Sequence, residues 1–152
     1  MIEDFIANFL LGFSPAGEGK VGIWILQKKY IGLTYSFIAC LLGNLMIFPV
    51  FHKVIKLSNV FFLKNKMYKK FAIYLSLRAR KKVGPVIKKH GIIGLFIFVA
   101  IPLPFTGSYL GTVASFVFGL NYKKSLIAIS LGIIISLVFM LILYPHIKPY
   151  FT

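Results

Sequence analysis

The sequence predicts an all-α integral membrane protein. We expect two inverted-topology repeats, each a re-entrant hairpin followed by a transmembrane helix, joined by a cytoplasmic amphipathic helix. Three observations support this. Hydrophobic residues make up 59% of the 152 residues and charged residues 14%, whereas soluble domains average about 45–50% and about 25%. The apolar residues form runs long enough to cross a bilayer. Similar segments also recur 89 positions apart.

Two stretches have the length and composition of spanning helices. Residues 30–51 and 125–144 contain no charged side chain. At 1.5 Å per residue each is about 30 Å long or slightly more, which matches the hydrocarbon core. We expect both to cross the membrane as parts of one domain, residues 1–152.

Two further apolar regions, 5–27 and 91–120, are interrupted by Pro and Gly. Each contains an apolar segment too short to cross, a Pro/Gly tip and a second apolar segment. We expect re-entrant hairpins, because non-helical backbone at membrane depth is tolerated where it is buried in protein or lines a cavity. The alternative is a spanning helix kinked at Pro, and for residues 5–27 both interpretations stay open.

A shift of 89 residues aligns one hairpin and span with the other. It pairs Phe9 with Phe98, Pro15 with Pro104, Gly22 with Gly111, and Gly43 with Gly132. Residues 52–90 carry 12 of the 18 Lys and Arg residues, so the positive-inside rule places them in the cytoplasm. The two copies then have opposite orientations, as in many secondary transporters.

The basic segment 52–90 also has apolar residues at near-helical spacing. This pattern predicts an amphipathic helix on the inner leaflet, ended by Gly84-Pro85, with anionic lipid headgroups as its partners. The alternative is that its cations only set the topology.

The charge balance excludes other classes of protein. The three acids are Glu3, Asp4 and Glu18, so residues 19–152 contain none. A basic chain can bind nucleic acid, but the long apolar runs exclude that partner. The single Cys40 excludes a disulfide scaffold. The sequence has no nucleophile–base pair, phosphate-binding loop or metal-ligand spacing, so we expect no enzyme, cofactor or metal site.

Glu18 is the candidate residue for proton or ion coupling, because it is the only carboxylate beyond residue 4 and falls in the first tip. A charge at membrane depth costs about 2.5–3.5 kcal/mol on the lenient insertion scale and usually contacts an ion, a proton or a substrate. The structural alternative is that Ser14 caps a helix beginning at Pro15. Glu18 then lies near the positive helix end or pairs with Lys20. The tip also contains Gly17.

The second tip supplies uncharged polar groups. It contains Pro102, Pro104, Thr106, Gly107 and Ser108. Its freed backbone groups, its hydroxyls and the start of the next half-helix suit an anion or a headgroup. The alternative is that the hydroxyls only cap that helix. Within the first span, Asn44 can hydrogen-bond across helices or to a tip.

Three motifs together resemble the small multidrug export protein family of prokaryotes, whose members show S-P-x-x-E-x-R/K, G-N-x-x-P-V-like and I-P-x-P-x-T-G patterns. They are SPAGEGK at 14–20, GNLMIFPV at 43–50 and FVAIPLPFTG at 98–107. By this resemblance, Glu18 matches the acidic tip position, Lys20 the basic position and Asn44 the G-N position.

The layout is also similar to that of the DedA/VTT superfamily, which is thought to comprise proton-coupled transporters and lipid carriers or scramblases. Phe105 stands where Gly is commoner, and the second tip lacks the DedA arginines.

The resemblance implies a proton- or ion-coupled exporter of a small or amphiphilic molecule. We expect a multi-pass protein in the plasma membrane of a prokaryote. It is expected to form a homodimer, because four thin elements enclose little volume. Two alternatives remain: a lipid scramblase or polyprenyl-phosphate carrier, and a membrane scaffold that transports nothing.

Overall fold

The computed structural model describes residues 2–14, 33–62, 66–101 and 107–147, which are almost entirely helical and contain no strand. The helices in these residues are α1 (Ile2–Phe13), α2 (Leu33–Phe62), α3 (Lys66–Ala100), α4 (Ser108–Val117) and α5 (Tyr122–Ile147). By length and composition alone, three helices could cross a membrane: Phe37–Ser58, Lys66–Ala100 and Tyr122–Met140. The second of these is interrupted at Gly91. The described residues therefore confirm the all-α class and the multi-pass membrane character.

The helix bounds differ from the sequence prediction at two places. The first long helix continues 11 residues past position 51, to Phe62, since residues 52–62 contain no Pro or Gly. The predicted helix end at Gly84-Pro85 is wrong, because α3 continues through both residues. Pro85 removes one backbone hydrogen bond but lies on the exposed side of the helix, where a carbonyl without a helical partner costs less than in a core.

The break in α3 comes instead at Gly91, whose φ of 56° and ψ of −127° are not helical. Glycine adopts this backbone conformation without the Cβ clash that other residues suffer. The chain folds back at this point, since a methyl group on Gly94 would lie 2.5 Å from the carbonyl oxygen of Val86. Along a straight helix those residues would be about 12 Å apart. Residues 92–100 therefore form a separate short segment, about 14 Å long.

Two described segments, residues 92–100 and α4, pack against each other beside one neighbourhood of α3, and we call this pair the hairpin. A methyl group on Gly111 of α4 would lie 2.9 Å from Val99 Cγ2, so the two arms are in contact. Phe118, which follows α4, lies 3.3 Å from the Cβ position of Gly84. Both ends of the hairpin thus lie beside residues 84–87.

Burial follows one register in the two long helices α2 and α5. Each residue from 37 to 44 has the same burial class as the residue 89 positions later. The buried pairs are Ala39 and Ala128, Cys40 and Ile129, Gly43 and Gly132, and Asn44 and Ile133. This is the register at which the sequence predicts a repeat.

The central glycines of α2 and α5 each contact a short helical segment, which is α1 for Gly43 and residues 92–100 for Gly132. A methyl group on Gly43 would lie 3.0 Å from the Phe13 nitrogen and would also meet the Phe9 carbonyl oxygen. The same group on Gly132 would lie 3.1 Å from the Phe96 carbonyl oxygen. The two phenylalanines that meet these glycines, Phe9 and Phe96, are 87 residues apart, whereas the glycines are 89 residues apart.

The apolar core lies where α3, α4 and α5 meet α2, around Phe48, Val83, Leu95 and Leu137. The outer faces of α2 and α5 are also apolar, with large exposed side chains such as Met46 and Ile142. Helices that are apolar both inside and outside are typical of a protein surrounded by lipid.

Candidate functional site

The residues predicted for the site fall into two groups. Seven tip residues lie outside the described part of the chain: Pro15, Gly17, Glu18, Lys20, Pro102, Pro104 and Thr106. The other four, Ser14, Asn44, Gly107 and Ser108, are described and come from the flanks of both tips and from α2. Contacts between those flanks therefore define the candidate site.

Asn44 links the first long helix to the flank of the second tip. Its Nδ2 donates to the Cys40 carbonyl oxygen one turn earlier, at 3.2 Å. Its Oδ1 accepts a hydrogen bond from Ser108 Oγ, also at 3.2 Å, across 64 residues of sequence. Both residues are buried, with 3% and 1% of their surface exposed. Because both ends of the amide are bonded, its orientation is fixed.

Tyr109 links the flank of the second tip to that of the first. Its hydroxyl donates a hydrogen bond to the carbonyl oxygen of Phe13. Phe13 is the last residue of α1, so its carbonyl has no partner within that helix. The Tyr109 ring also meets Phe51 edge-on, with centroids 5.1 Å apart. We call Phe13, Asn44, Ser108 and Tyr109 together the tip junction.

Tyr109 is not among the candidate residues predicted from the sequence. A signal was present, because a Tyr among apolar residues usually finds a hydrogen-bond partner for its hydroxyl. Periodicity could not show which group that would be, since Phe13 lies 96 residues away.

The N-terminal end of α4 is part of the tip junction, because the helix begins at Ser108. Gly107 is the N-cap residue of this helix, and no side chain caps the helix start. The Ser108 hydroxyl instead donates a hydrogen bond to Asn44 of α2. The alternative that the tip hydroxyls only cap this helix is therefore wrong for Ser108. The first N–H groups of a helix carry a partial positive charge, so this helix end favours electron-rich atoms at the junction.

Further buried hydroxyls continue along α4 from the junction. Thr112 Oγ1 donates to the Ser108 carbonyl oxygen at 2.6 Å, and Ser115 Oγ donates to that of Thr112 at 3.0 Å. Both side chains are almost fully buried. The hydroxyls are satisfied by their own helix, so they serve its packing.

The junction lies near the middle of the apolar part of α2. The charge-free stretch extends over residues 30–51, so Asn44 lies about 5 Å from its centre at 1.5 Å per residue. Unpaired polar groups are costly within the apolar layer of a membrane, so the paired state of Asn44 suits a spanning helix.

Other reactive side chains have packing roles. Cys40 is buried and free, with Sγ 3.5 Å from the Asn8 carbonyl oxygen. His52 packs among aromatic rings, with its centroid 4.9 Å from that of Tyr122 and 5.9 Å from that of Phe116. Within the described residues, no group of three His, Cys, Asp or Glu is placed to hold a metal ion.

Comparison with known proteins gives one match. A family model described as "Putative small multi-drug export protein" matches residues 18–139, from Glu18 to a point within α5. The match covers 122 of the 152 residues and includes Asn44 and most of the tip junction. No curated protein and no solved structure matches the chain.

Proposed function

The chain belongs to the small multi-drug export protein family, and from this premise we propose that it exports a small or amphiphilic molecule with proton or ion coupling at Glu18. Membership in the family supports the transport role. The finer proposal rests mainly on the tip junction, where Ser108 bonds Asn44 and Tyr109 bonds Phe13 near the middle of the apolar layer. In this proposal the two tips line the transport pathway.

The proposal requires Glu18 to lie near the tip junction, and the length of the chain allows this. Glu18 follows Ser14 by four residues, so their Cα atoms are at most about 14 Å apart. Loss of a proton from Glu18 would leave a negative charge that must be balanced. A cation or a protonated substrate would supply that balance, so proton and substrate would compete for one carboxylate. Lys20, two residues later, would supply a positive charge near that carboxylate.

Alternating access would follow from the repeat. We propose that the hairpin 92–117 is re-entrant and that the two copies have inverted topology. Three observations support this: the shared burial register of α2 and α5, the contact of Gly43 and Gly132 with their short helices, and the return of the hairpin to residues 84–87. Inverted copies of this kind rock around a fixed central site in many transporters.

Flux in liposomes tests the proposal. The purified chain would be reconstituted, a pH gradient imposed, and accumulation of the fluorescent cation ethidium recorded. We expect Glu18→Gln to abolish gradient-driven accumulation, because the amide cannot release a proton. Glu3→Gln is the matched control, since Glu3 is exposed in the first turn of α1, and it should keep wild-type flux.

Circular dichroism and size-exclusion chromatography would show that each variant is folded. Wild-type flux in a folded Glu18→Gln protein would contradict the coupling role. Exchange of fluorescent lipid by the wild-type protein, without any ethidium flux, would contradict solute export itself.

A further inference from the structure

A second feature lies on the cytoplasmic side that we expect from the charge distribution, and one of its residues, Phe51, contacts Tyr109 of the tip junction. A partly open groove of about 150 Å³ lies between three segments of the chain. These are residues 66–90 of α3, the C-terminal part of α2 and α4. Its walls are mainly apolar and include Phe51, Val54, Phe71, Leu75, Val113 and Phe116. An apolar space of that volume holds about one benzene-sized group.

The groove opens on a surface that is apolar and basic at the same time. Phe71 lines the groove and is nevertheless 59% exposed. On the same helix, Met67 is 83% exposed and Tyr74 58%. Exposed apolar side chains among Lys and Arg are typical of a helix that lies at the lipid–water interface.

Cations flank the groove on both sides. Arg78 and Lys82 follow the lining residue Leu75 by three and seven positions, so they extend the same side of the helix. Lys69 precedes the lining residue Ala72 by three positions, on the other flank. No Asp or Glu follows Glu18 in the sequence, so residues 19–152 provide no side-chain carboxylate to balance these charges.

We propose that the groove binds one acyl chain of an anionic phospholipid from the adjacent leaflet, with the lipid phosphate beside Arg78 and Lys82. A phospholipid supplies both complements, an apolar chain for the groove and a negative charge for the flanking cations. A second copy of the chain fits less well, because it would bring more positive charge to a surface that belongs to a chain of net charge +15. The site is independent of the proposed transport.

Photolabelling of the full chain tests this site. The protein would be reconstituted in phosphatidylcholine vesicles that contain a trace of phosphatidylglycerol with a diazirine near the end of one acyl chain. We expect labelled peptides to include Phe71, Leu75 and the Val113–Phe116 turn. A phosphatidylcholine probe with the same acyl chain should label these peptides much less.

Two variants with matched controls distinguish the contribution of the lipid headgroup from that of the acyl chain. Arg78→Gln with Lys82→Gln should lower labelling roughly tenfold or more. Arg80→Gln with Lys81→Gln removes the same charge from other faces of the helix and should change labelling little. Ala72→Phe should block the acyl chain, whereas Ile73→Phe, at an exposed position turned away from the groove, should not.

Three results would overturn the proposal. Equal loss from both charge pairs would reduce the effect to general surface attraction. Unchanged labelling in a folded Ala72→Phe protein would place the acyl chain elsewhere. A change of oligomeric state in Ala72→Phe, with labelling preserved, would make the groove a contact between copies of the chain.

Discussion

The two long helices are packed alike but carry different chemistry at their centres. Asn44 in α2 and Ile133 in α5 lie 89 residues apart and are both buried, at 3% and 4% exposure. Their neighbours Gly43 and Gly132 each contact a short helix. Only the first copy, however, has a polar side chain at this position, and that side chain bonds the flank of the second tip.

The comparison distinguishes the residues that pack the helices from the residue that forms a polar contact. Small residues and burial phase are common to both copies, so they account for the close packing of a short helix on a long one. The amide is particular to the first copy, and its partner Ser108 comes from the second. In the repeat that we propose, the tip junction would therefore lie between the two copies, with each contributing different groups.

The largest effect is expected from substitutions at Gly43 and Gly132, which disrupt the close packing that α2 and α5 have in common. In α2 a methyl group on Gly43 would meet backbone atoms of α1, including the Phe13 nitrogen at 3.0 Å, and backbone cannot rotate away. In α5 the same group on Gly132 would lie 2.9 Å from Val99 Cβ and 3.1 Å from the Phe96 carbonyl oxygen, which the backbone also holds in place, but these contacts are less close than those of Gly43. We expect Gly43→Ala to destabilise the protein by about 3 kcal/mol and Gly132→Ala by about 1 kcal/mol.

Unfolding in mixed detergent micelles, followed by circular dichroism, measures both variants. Alanine is the better helix former, which offsets about 1 kcal/mol of the cost equally in both, so the difference between them reports packing. A larger loss in Gly132→Ala than in Gly43→Ala would contradict the comparison.

The second prediction removes the chemical difference between the copies. Ile133→Asn would place an amide in the second copy at a position surrounded by apolar core residues such as Ile129 and Leu137. A buried amide without hydrogen bonds costs about 1–3 kcal/mol, and we expect about 2 kcal/mol in the same unfolding measurement. Ile133→Leu, which keeps the apolar character, should cost less than about 1.5 kcal/mol. Equal costs for the two variants would mean that the site already accommodates polar groups.

The common feature was visible in the sequence, but the difference was visible only in part. Long apolar runs, the short helices and the pairing of Gly43 with Gly132 follow from composition and periodicity, because helix packing repeats locally. Asn44 stood out as a polar residue in an apolar run, but its bond to Ser108 spans 64 residues, and no local pattern encodes such a contact.

The helix ends show the same limit. Gly84-Pro85 predicts a stop from local chemistry, yet the helix continues to Gly91. The reason lies in tertiary structure. Gly84 is buried beside Phe118, so this glycine makes room for the returning hairpin and does not end the helix. Gly91 gave no stronger local signal than Gly84, although its backbone conformation is the one that requires glycine.

The smallest expected effect concerns two buried serines that both follow residue 90, of which Ser108 bonds Asn44 of α2 and Ser136 bonds no described residue. Ser108 donates to Asn44, whereas the buried Ser136 Oγ in α5 has no hydrogen-bond partner within the described residues. Hydrogen bonds between membrane helices average about 0.6 kcal/mol, so Ser108→Ala should cost about that much. Ser136→Ala removes a hydroxyl that gains nothing from its position, so its unfolding free energy should stay equal to that of the wild type or rise slightly.

The two substitutions delete the same atom at buried sites, and each serves as the control for the other in one unfolding series. A cost for Ser136→Ala equal to that of Ser108→Ala would mean that the second copy also contains a polar contact, and the chemical asymmetry between the copies would disappear.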